Sequence, residues 1–270
     1  MAQGDAGAGD GAGGPTAGAA PAPWSVVLAT LSETGPVRDE NEDCCGHERQ
    51  GPSAIVVVVA DGVSGYRGGE TASQMAVEVT LRAFRELATT TKLDRRLARA
   101  AQQANIEIHD LALTVPELRG MATTLTAIAI VEGKLVAAHV GDSRLYLVRQ
   151  GKALQLTKDH RTGPATLTRS VGRELIAAID RLRLSSPLQQ DDVLVLCTDG
   201  VHGVLSDEAL ARLVTEEDPA RACRALIDGA LAGNSTDNVT AAVVRVVGPA
   251  PERPRPPGMT ERLRRLVKRT

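Results

Sequence analysis

The stretch IVVVVADGVSGYRGGETAS, Ile55 to Ser73, decides the fold. Ile55 to Ala60 form an unbroken apolar and mostly β-branched run, which reads as a strand from the protein interior. The run stops at Asp61, and Gly62, Gly65, Gly68 and Gly69 follow within the next eight residues. A helix is expected from about Gly69. Taken alone, Asp61 reads most simply as a turn or helix-capping residue. A nucleophile elbow requires G-x-S-x-G, and Gly62-Val63-Ser64-Gly65 brings the second glycine one place early. A phosphate-cradling loop requires G-x-x-x-x-G-K-[ST], and this loop contains no lysine. A carboxylate beside a glycine carbonyl also suits a hydrated cation.

The rest of the chain changes the balance. A second apolar run, Asp192 to Cys197, delivers Thr198-Asp199-Gly200. The strand at 239–246 is preceded by Asp237-Asn238. After the first strand stands Arg38-Asp39-Glu40-Asn41-Glu42-Asp43. Each acid alone is an ordinary turn residue. Four strand ends presenting acids together form an oxygen-only donor set for a hard divalent cation such as Mg²⁺ or Mn²⁺. Carboxylates gathered without a cation would repel one another.

Expected strands are 24–30, 54–60, 122–131, 134–140, 143–149, 181–184, 192–197 and 239–246, short and rich in Val, Ile and Leu. Expected helices are 69–88, 94–113, 206–214 and 218–232. Two long helices in succession, followed by clustered strands, indicate an α+β fold with antiparallel sheets rather than a regular βαβ alternation.

The 270 residues are 43% hydrophobic, enough for a sizeable core, but only one Trp, one Phe and two Tyr are present. That poverty argues against a stacking surface for single-stranded nucleic acid. A net charge of −2 gives no global field toward nucleic acid or membrane. Cys44, Cys45, Cys197 and Cys223 form no CxxC pair and read as reduced thiols of a cytoplasmic protein. No secretory signal pattern and no apolar run of membrane-spanning length is seen. Residues 1–23 are Ala, Gly and Pro with little else, and disorder is expected there. One domain is expected over 24–247, then a Pro-rich linker at 248–258 and a basic amphipathic tail at 259–270. Residues 251–270 hold seven Lys/Arg and two Glu, which would suit an acidic partner or an anionic membrane surface.

With these features in place, the sequence resembles the metal-dependent protein phosphatases, the PPM or type 2C Ser/Thr phosphatases. The matching stretches are RDENED (38–43), VVVVADGVSGYRGGETAS (56–73), GMATTLTAIAI (120–130), VGDSRLYLVRQGKALQLTKDH (140–160), LTRSVG (167–172), DDVLVLCTDGV (191–201) and DNVT (237–240). They stand in the family's order and cover nearly the whole expected domain. The resemblance implies a central antiparallel β-sandwich flanked by helix pairs, with a dinuclear Mg²⁺/Mn²⁺ centre at one end.

By position, Asp43, Asp61, Asp199 and Asp237 match the family's metal-binding aspartates, and Gly62 the glycine whose carbonyl also binds metal. Glu42 matches an acid that holds metal-bound water. Arg38 matches the arginine that grips the substrate phosphate, and Asn238 is expected to orient the neighbouring site. Two cations about 3.5–4 Å apart can acidify a shared water toward hydroxide, which would attack the phosphorus of phosphoserine or phosphothreonine. The implied partner is a phosphoprotein made by a Ser/Thr kinase. The alternatives are a phosphoprotein-binding pseudophosphatase and a phosphatase for small esters only.

Three departures from the family pattern stand out. Asp142 matches a ligand of a third, looser ion, but the acid four residues after Asp199 is replaced by Gly203, so that ion is expected to be weak or absent. Alternatively, Asp142 and Arg144 fix the turn between strands. Val63 stands where some members carry a histidine that could act as general acid, with His160 a nearby candidate and His139 a structural histidine. Only Arg161 to Thr166 separate the KDH and LTRSVG stretches, where bacterial members usually insert a flap.

Overall fold

The computed structural model describes residues 25–50, 54–63, 68–163, 166–215 and 217–248. Strand β1 (Val26–Glu33) leads to β2 (Asp43–Arg49) and β3 (Ala54–Asp61). Two long helices follow, α1 (Gly69–Glu86) and α2 (Leu93–Thr114), then a 3-10 turn at Pro116–Leu118. Four strands come next: β4 (Leu125–Val131), β5 (Lys134–Val140), β6 (Arg144–Arg149) and β7 (Lys152–Gln155). The small hairpin of β8 (Arg161–Thr162) and β9 (Thr166–Leu167) precedes β10 (Asp180–Arg183) and β11 (Val193–Cys197). Short α3 (Asp199–His202), α4 (Asp207–Thr215) and α5 (Pro219–Ala232) lead to β12 (Val239–Val246).

The strands form two five-stranded sheets, β1-β12-β11-β6-β7 and β10-β5-β4-β3-β2. The pairings within them are antiparallel. The continuous apolar run of β3 has a direct explanation, because both of its faces are buried. Ile55, Val57 and Val59 pack with Leu194 and Leu196 of β11 and with Ala242 and Val244 of β12, between the sheets. Val56, Val58 and Ala60 pack with Ala72 and Ala76 of α1 and Leu97 and Ala101 of α2. The first sheet is covered likewise, with Val195, Cys197, Ala241 and Val243 against Leu210 of α4 and Leu226 of α5. The result is the expected α+β sandwich in four layers, helices outside and two antiparallel sheets within. Among the described residues, no helix is long and apolar enough to cross a membrane.

Several element boundaries differ from the sequence reading. Strand β2 was not expected, because DCCGHER carries no apolar alternation; it is an edge strand that lies half-buried along most of its length. Strand β4 begins at Leu125 rather than 122, since Thr123 makes isolated bridges to Gly62 and Val171 instead of joining the ladder. Strand β1 runs to Glu33 rather than 30, drawn on by its full register with β12. The short β7, β8, β9 and α3 carry too little periodicity to be read. Residues 1–23, the basic segment 259–270 and the Pro-rich stretch after Gly248 lie outside the described residues.

The far end of the first sheet is closed by a buried ion pair. Arg149 of β6 grips Asp192 through two bonds of 2.7 Å each, and the Asp192 side chain is only 1% exposed. Replacing Arg149 by Ala would leave that carboxylate buried without its cation, a loss of about 2–4 kcal/mol. Urea unfolding is expected to show the loss.

Candidate metal centre

The acidic residues meet where the two sheets present their ends side by side. Asp43 opens β2 and Asp61 closes β3, and the register makes them direct cross-strand partners. The other sheet contributes Asp199, at the first turn after β11, and Asp237, two residues before β12. Thr198 ties the sheets together at this point by donating to the Asp43 carboxylate at 2.8 Å. Thr240 of β12 supports this contact, its N–H donating to Thr198 Oγ1 at 3.2 Å.

The backbone around Asp61 is fixed from β4. Its N–H donates to Thr124 Oγ1 at 2.9 Å, and its carbonyl accepts from Thr124 N–H at 2.8 Å and from Thr123 Oγ1 at 2.9 Å. Ser143 in turn bonds Thr124 Oγ1 at 2.7 Å. Close approach explains the glycines on either side of the loop. A Cβ on Gly62 would lie 2.5 Å from the Gly69 backbone, and one on Gly69 would overlap the Glu42 carboxylate. Glu42 therefore sits against the start of α1, where a helix N-terminus favours an anion. Ser64 and Gly65 lie outside the described residues.

Asn238 holds the loop that carries Arg38 and Glu42. Its Nδ2 donates to the Thr34 and Glu40 carbonyls at 2.8 and 2.9 Å, and its Oδ1 accepts from Glu42 N–H at 2.9 Å. Arg38 reaches back from this loop to Asp237, with Nη2 at 2.8 Å from Oδ2. Both partners stay about a third exposed, 36% and 37%, so this guanidinium is accessible from solvent.

The electrostatics mark the cluster as strongly unfavourable for several negative charges. Burial, reinforced by Asp199 and Asp237 against bonds from Thr240 and Thr198, pushes the Asp43 carboxyl up to about 7. Burial, with Asp43, Asp199, Asp142 and Asp237 adding to it, raises Asp61 well above the usual carboxylate range. Burial together with Asp142 and Asp237 brings Asp199 up to about 6. Among the described residues, no three acidic, histidine or cysteine side chains stand close enough to form a ready-made ligand cage. Asp237 leans onto Arg38 and Asp43 onto Thr198. The donor chemistry still fits a hard divalent cation: carboxylate oxygens from both sheets, mutually repelling, with no thiol or imidazole among them.

The residues around Asp142 are placed differently from the sequence reading. Arg144 does not pair with Asp142; it takes Asp159 through three bonds of 2.8 to 3.2 Å. Asp142 instead meets Arg161, Nη1 to Oδ2, at 3.3 Å. Its carbonyl is bonded by His202 Nε2 at 3.0 Å, a contact the sequence did not suggest, because His202 stands in no recognised motif. Burial holds His202 down to about 4, so it is neutral there. His139 is a structural histidine, bonded to Thr126 Oγ1 at 2.9 Å and the Lys158 carbonyl at 3.1 Å. Both ring nitrogens of His160 are engaged, Nδ1 by Gly141 N–H and Nε2 by Asp180. That geometry argues against His160 as a proton donor to a leaving group. Cys197 is fully buried and its thiol is pushed up to about 12, which fits an inert core residue.

Comparison with known proteins agrees with this architecture. Residues 38–238 match the family model described as Protein phosphatase 2C. The serine/threonine phosphatase stp of Listeria monocytogenes is 30% identical over 236 residues, covering 79% of this chain and 93% of that protein. The serine/threonine protein phosphatase PstP of Mycobacterium tuberculosis is 32% identical over 235 residues, 81% of this chain and 45% of the relative. A crystal structure of the catalytic domain of serine threonine protein phosphatase PstP, in complex with 2 manganese ions, superposes with a TM-score of 0.71 at 31% identity. That match covers 83% of this chain and 99% of the other. The chain belongs to the protein phosphatase 2C family, the metal-dependent protein serine/threonine phosphatases.

Proposed function

We propose that the strand-end cluster is the centre at which this phosphatase hydrolyses phosphoserine and phosphothreonine, opposing a Ser/Thr kinase. Asp43, Asp61, Asp199 and Asp237, with the Gly62 carbonyl, would hold two Mg²⁺ or Mn²⁺ ions. The observation that carries this reading is the gathering of four carboxylates at neighbouring ends of the two sheets, where burial and mutual repulsion raise Asp43, Asp61 and Asp199 and a cation would relieve the repulsion. The PstP catalytic domain with its 2 manganese ions supports the number and kind of ion. Such ions, when bound, supply Lewis acidity that lowers the pKa of water and neutralises charge on the phosphate.

The protein's own groups do the positioning. Arg38 presents a planar fork of donors at the rim, which can bind a phosphate through two parallel bonds while keeping Asp237. Asn238 fixes the height of the Arg38 and Glu42 loop. Glu42, beside α1, would order water at the centre. Thr198, itself bonded by Thr240 N–H, holds the Asp43 carboxylate, and Thr123 and Thr124 hold the backbone of Asp61. Val63 donates its backbone N–H to the Ala122 carbonyl at 2.9 Å and brings no proton donor to the leaving group.

The test is Mn²⁺-dependent phosphate release from a phosphothreonine peptide and from p-nitrophenyl phosphate, with Asp199→Asn as control. Release from both substrates, lost in the variant and in chelator, is expected. Release from the ester alone would reassign the substrate to small phosphate esters, a reading suggested by the short connection from Arg161 to Thr166. Phosphopeptide binding with no release above the control would make the chain a binding module, and equal activity in chelator would remove the metal mechanism.

A further inference from the structure

The Arg161–Asp142 contact has a consequence for how many ions the centre can hold. We propose that Arg161 is the built-in counter-cation of Asp142, keeping that carboxylate out of metal coordination so that the centre carries two ions and no more. The inference rests on reading the cluster as a two-ion centre.

The placement of this arginine is tightly specified. The Asp142 side chain is only 10% exposed, and the guanidinium beside it 23%. A carboxylate that secluded needs a cation, and the chain itself supplies one. Arg161 opens the β8–β9 hairpin, and backbone ties on both sides seat that hairpin on the centre. Before it, His160 N–H donates to the Gly141 carbonyl at 2.7 Å, one residue from Asp142. Gly141 N–H returns a bond to His160 Nδ1 at 3.1 Å. After it, Thr168 N–H donates to the His160 carbonyl at 2.8 Å, and Val171 bridges Thr123, which bridges Gly62. Arg161 Nε is held by the Gly163 carbonyl at 3.0 Å, which aims the fork toward Asp142.

Two further observations point the same way. The charge of Arg161 acts on Asp199 as well as on Asp142, so it belongs electrostatically to the cluster and not to the outer surface. On the other flank of Asp142, Gly203 donates its N–H to the Asp199 carbonyl at 2.7 Å. A Cβ at Gly203 would stand 2.6 Å from that oxygen. No side chain at Gly203 can join Asp142 in holding an ion without displacing the start of α3. A guanidinium stays charged at every working pH and at every metal concentration.

The test counts Mn²⁺ ions by calorimetric titration and by electron paramagnetic resonance of the bound ion. Wild type and Asp142→Asn are expected to bind the same number. Arg161→Gln is expected to gain one weaker ion, the Arg161→Gln/Asp142→Asn double variant to lose it again, and Arg161→Lys to behave as wild type. Circular dichroism melting checks that each variant is folded. Fewer ions in Asp142→Asn than in wild type would overturn the proposal, and so would an unchanged count in Arg161→Gln. The wild-type count itself reports on the two-ion reading: any value other than two defeats that reading, whereas the differences between variants bear on Arg161 alone.

Discussion

Replacing Asp61 by Asn is expected to reduce Mn²⁺-dependent hydrolysis on the order of 1,000-fold and at the same time to raise the melting temperature of the protein in chelator. The two effects share one cause. Asp61 is a buried carboxylate facing Asp43 across a strand pair, with Asp199, Asp142 and Asp237 also repelling it. Asn is isosteric, and the backbone bonds from Thr123 and Thr124 hold either residue in place. The variant therefore keeps its shape and loses a charge. A metal centre supplies several kcal/mol of transition-state stabilisation, and about 1.4 kcal/mol corresponds to a factor of ten. Relief of the repulsion is worth about 1–2 kcal/mol, or roughly 2–8 °C in a protein of this size. Steady-state kinetics and scanning calorimetry in EDTA check the pair. A lower melting temperature in the variant would mean that the carboxylate stabilises the fold and that the cluster is not under strain.

The second large effect is a dependence of stability on pH that changes sign with metal. In chelator, the stability of wild type relative to Asp43→Asn is expected to fall as pH rises from about 4 to about 7. The sign follows from linkage. Burial lifts the folded carboxyl of Asp43 from 3.8 up to about 7. Between those values the folded state retains a proton that the unfolded chain releases, so raising the pH favours unfolding. Below the lower value both states are protonated and the difference is flat. In saturating Mn²⁺ the trend should reverse, because ligands must be ionised to bind and the cation's contribution grows with pH. Melting curves of both proteins from pH 4 to 8, in EDTA and in Mn²⁺, give the comparison. A difference independent of pH in chelator would show that Asp43 ionises normally in the folded state.

The parts of this molecule that were legible in sequence are those in which one physical demand dominates. A strand buried on both faces must be apolar throughout, so β3 and β11 announced themselves, and so did the aspartates that interrupt them. Strand β2 was hidden because an edge strand has one neighbour and half-exposed faces, and DCCGHER meets no single demand. The convergence of Asp43, Asp61, Asp199 and Asp237 was legible because each follows or precedes a strand end. Their partners were not. Thr198 and His202 act through one or two hydrogen bonds to residues distant in sequence, and such bonds leave no period or spacing. Arg161 was harder still. Its neighbour Arg144 is closer to Asp142 in sequence, but the turn sends Arg144 to Asp159 and leaves Asp142 to a residue nineteen positions on.

The layer between the sheets contains no part of the chemistry, yet it sets a dimension of it. Asp43 and Asp61 ride on one sheet, Asp199 and Asp237 on the other, and the thickness of the packing among Val57, Val59, Leu194, Leu196, Ala242 and Val244 fixes the gap between the two pairs. Those six side chains act as a caliper. Adding or removing a methyl group there would open or close the jaws by tenths of an ångström, the scale on which the radii of Mg²⁺ and Mn²⁺ differ. On the two-ion reading proposed above, ion preference would be adjustable from the hydrocarbon interior, by residues that never touch the ion.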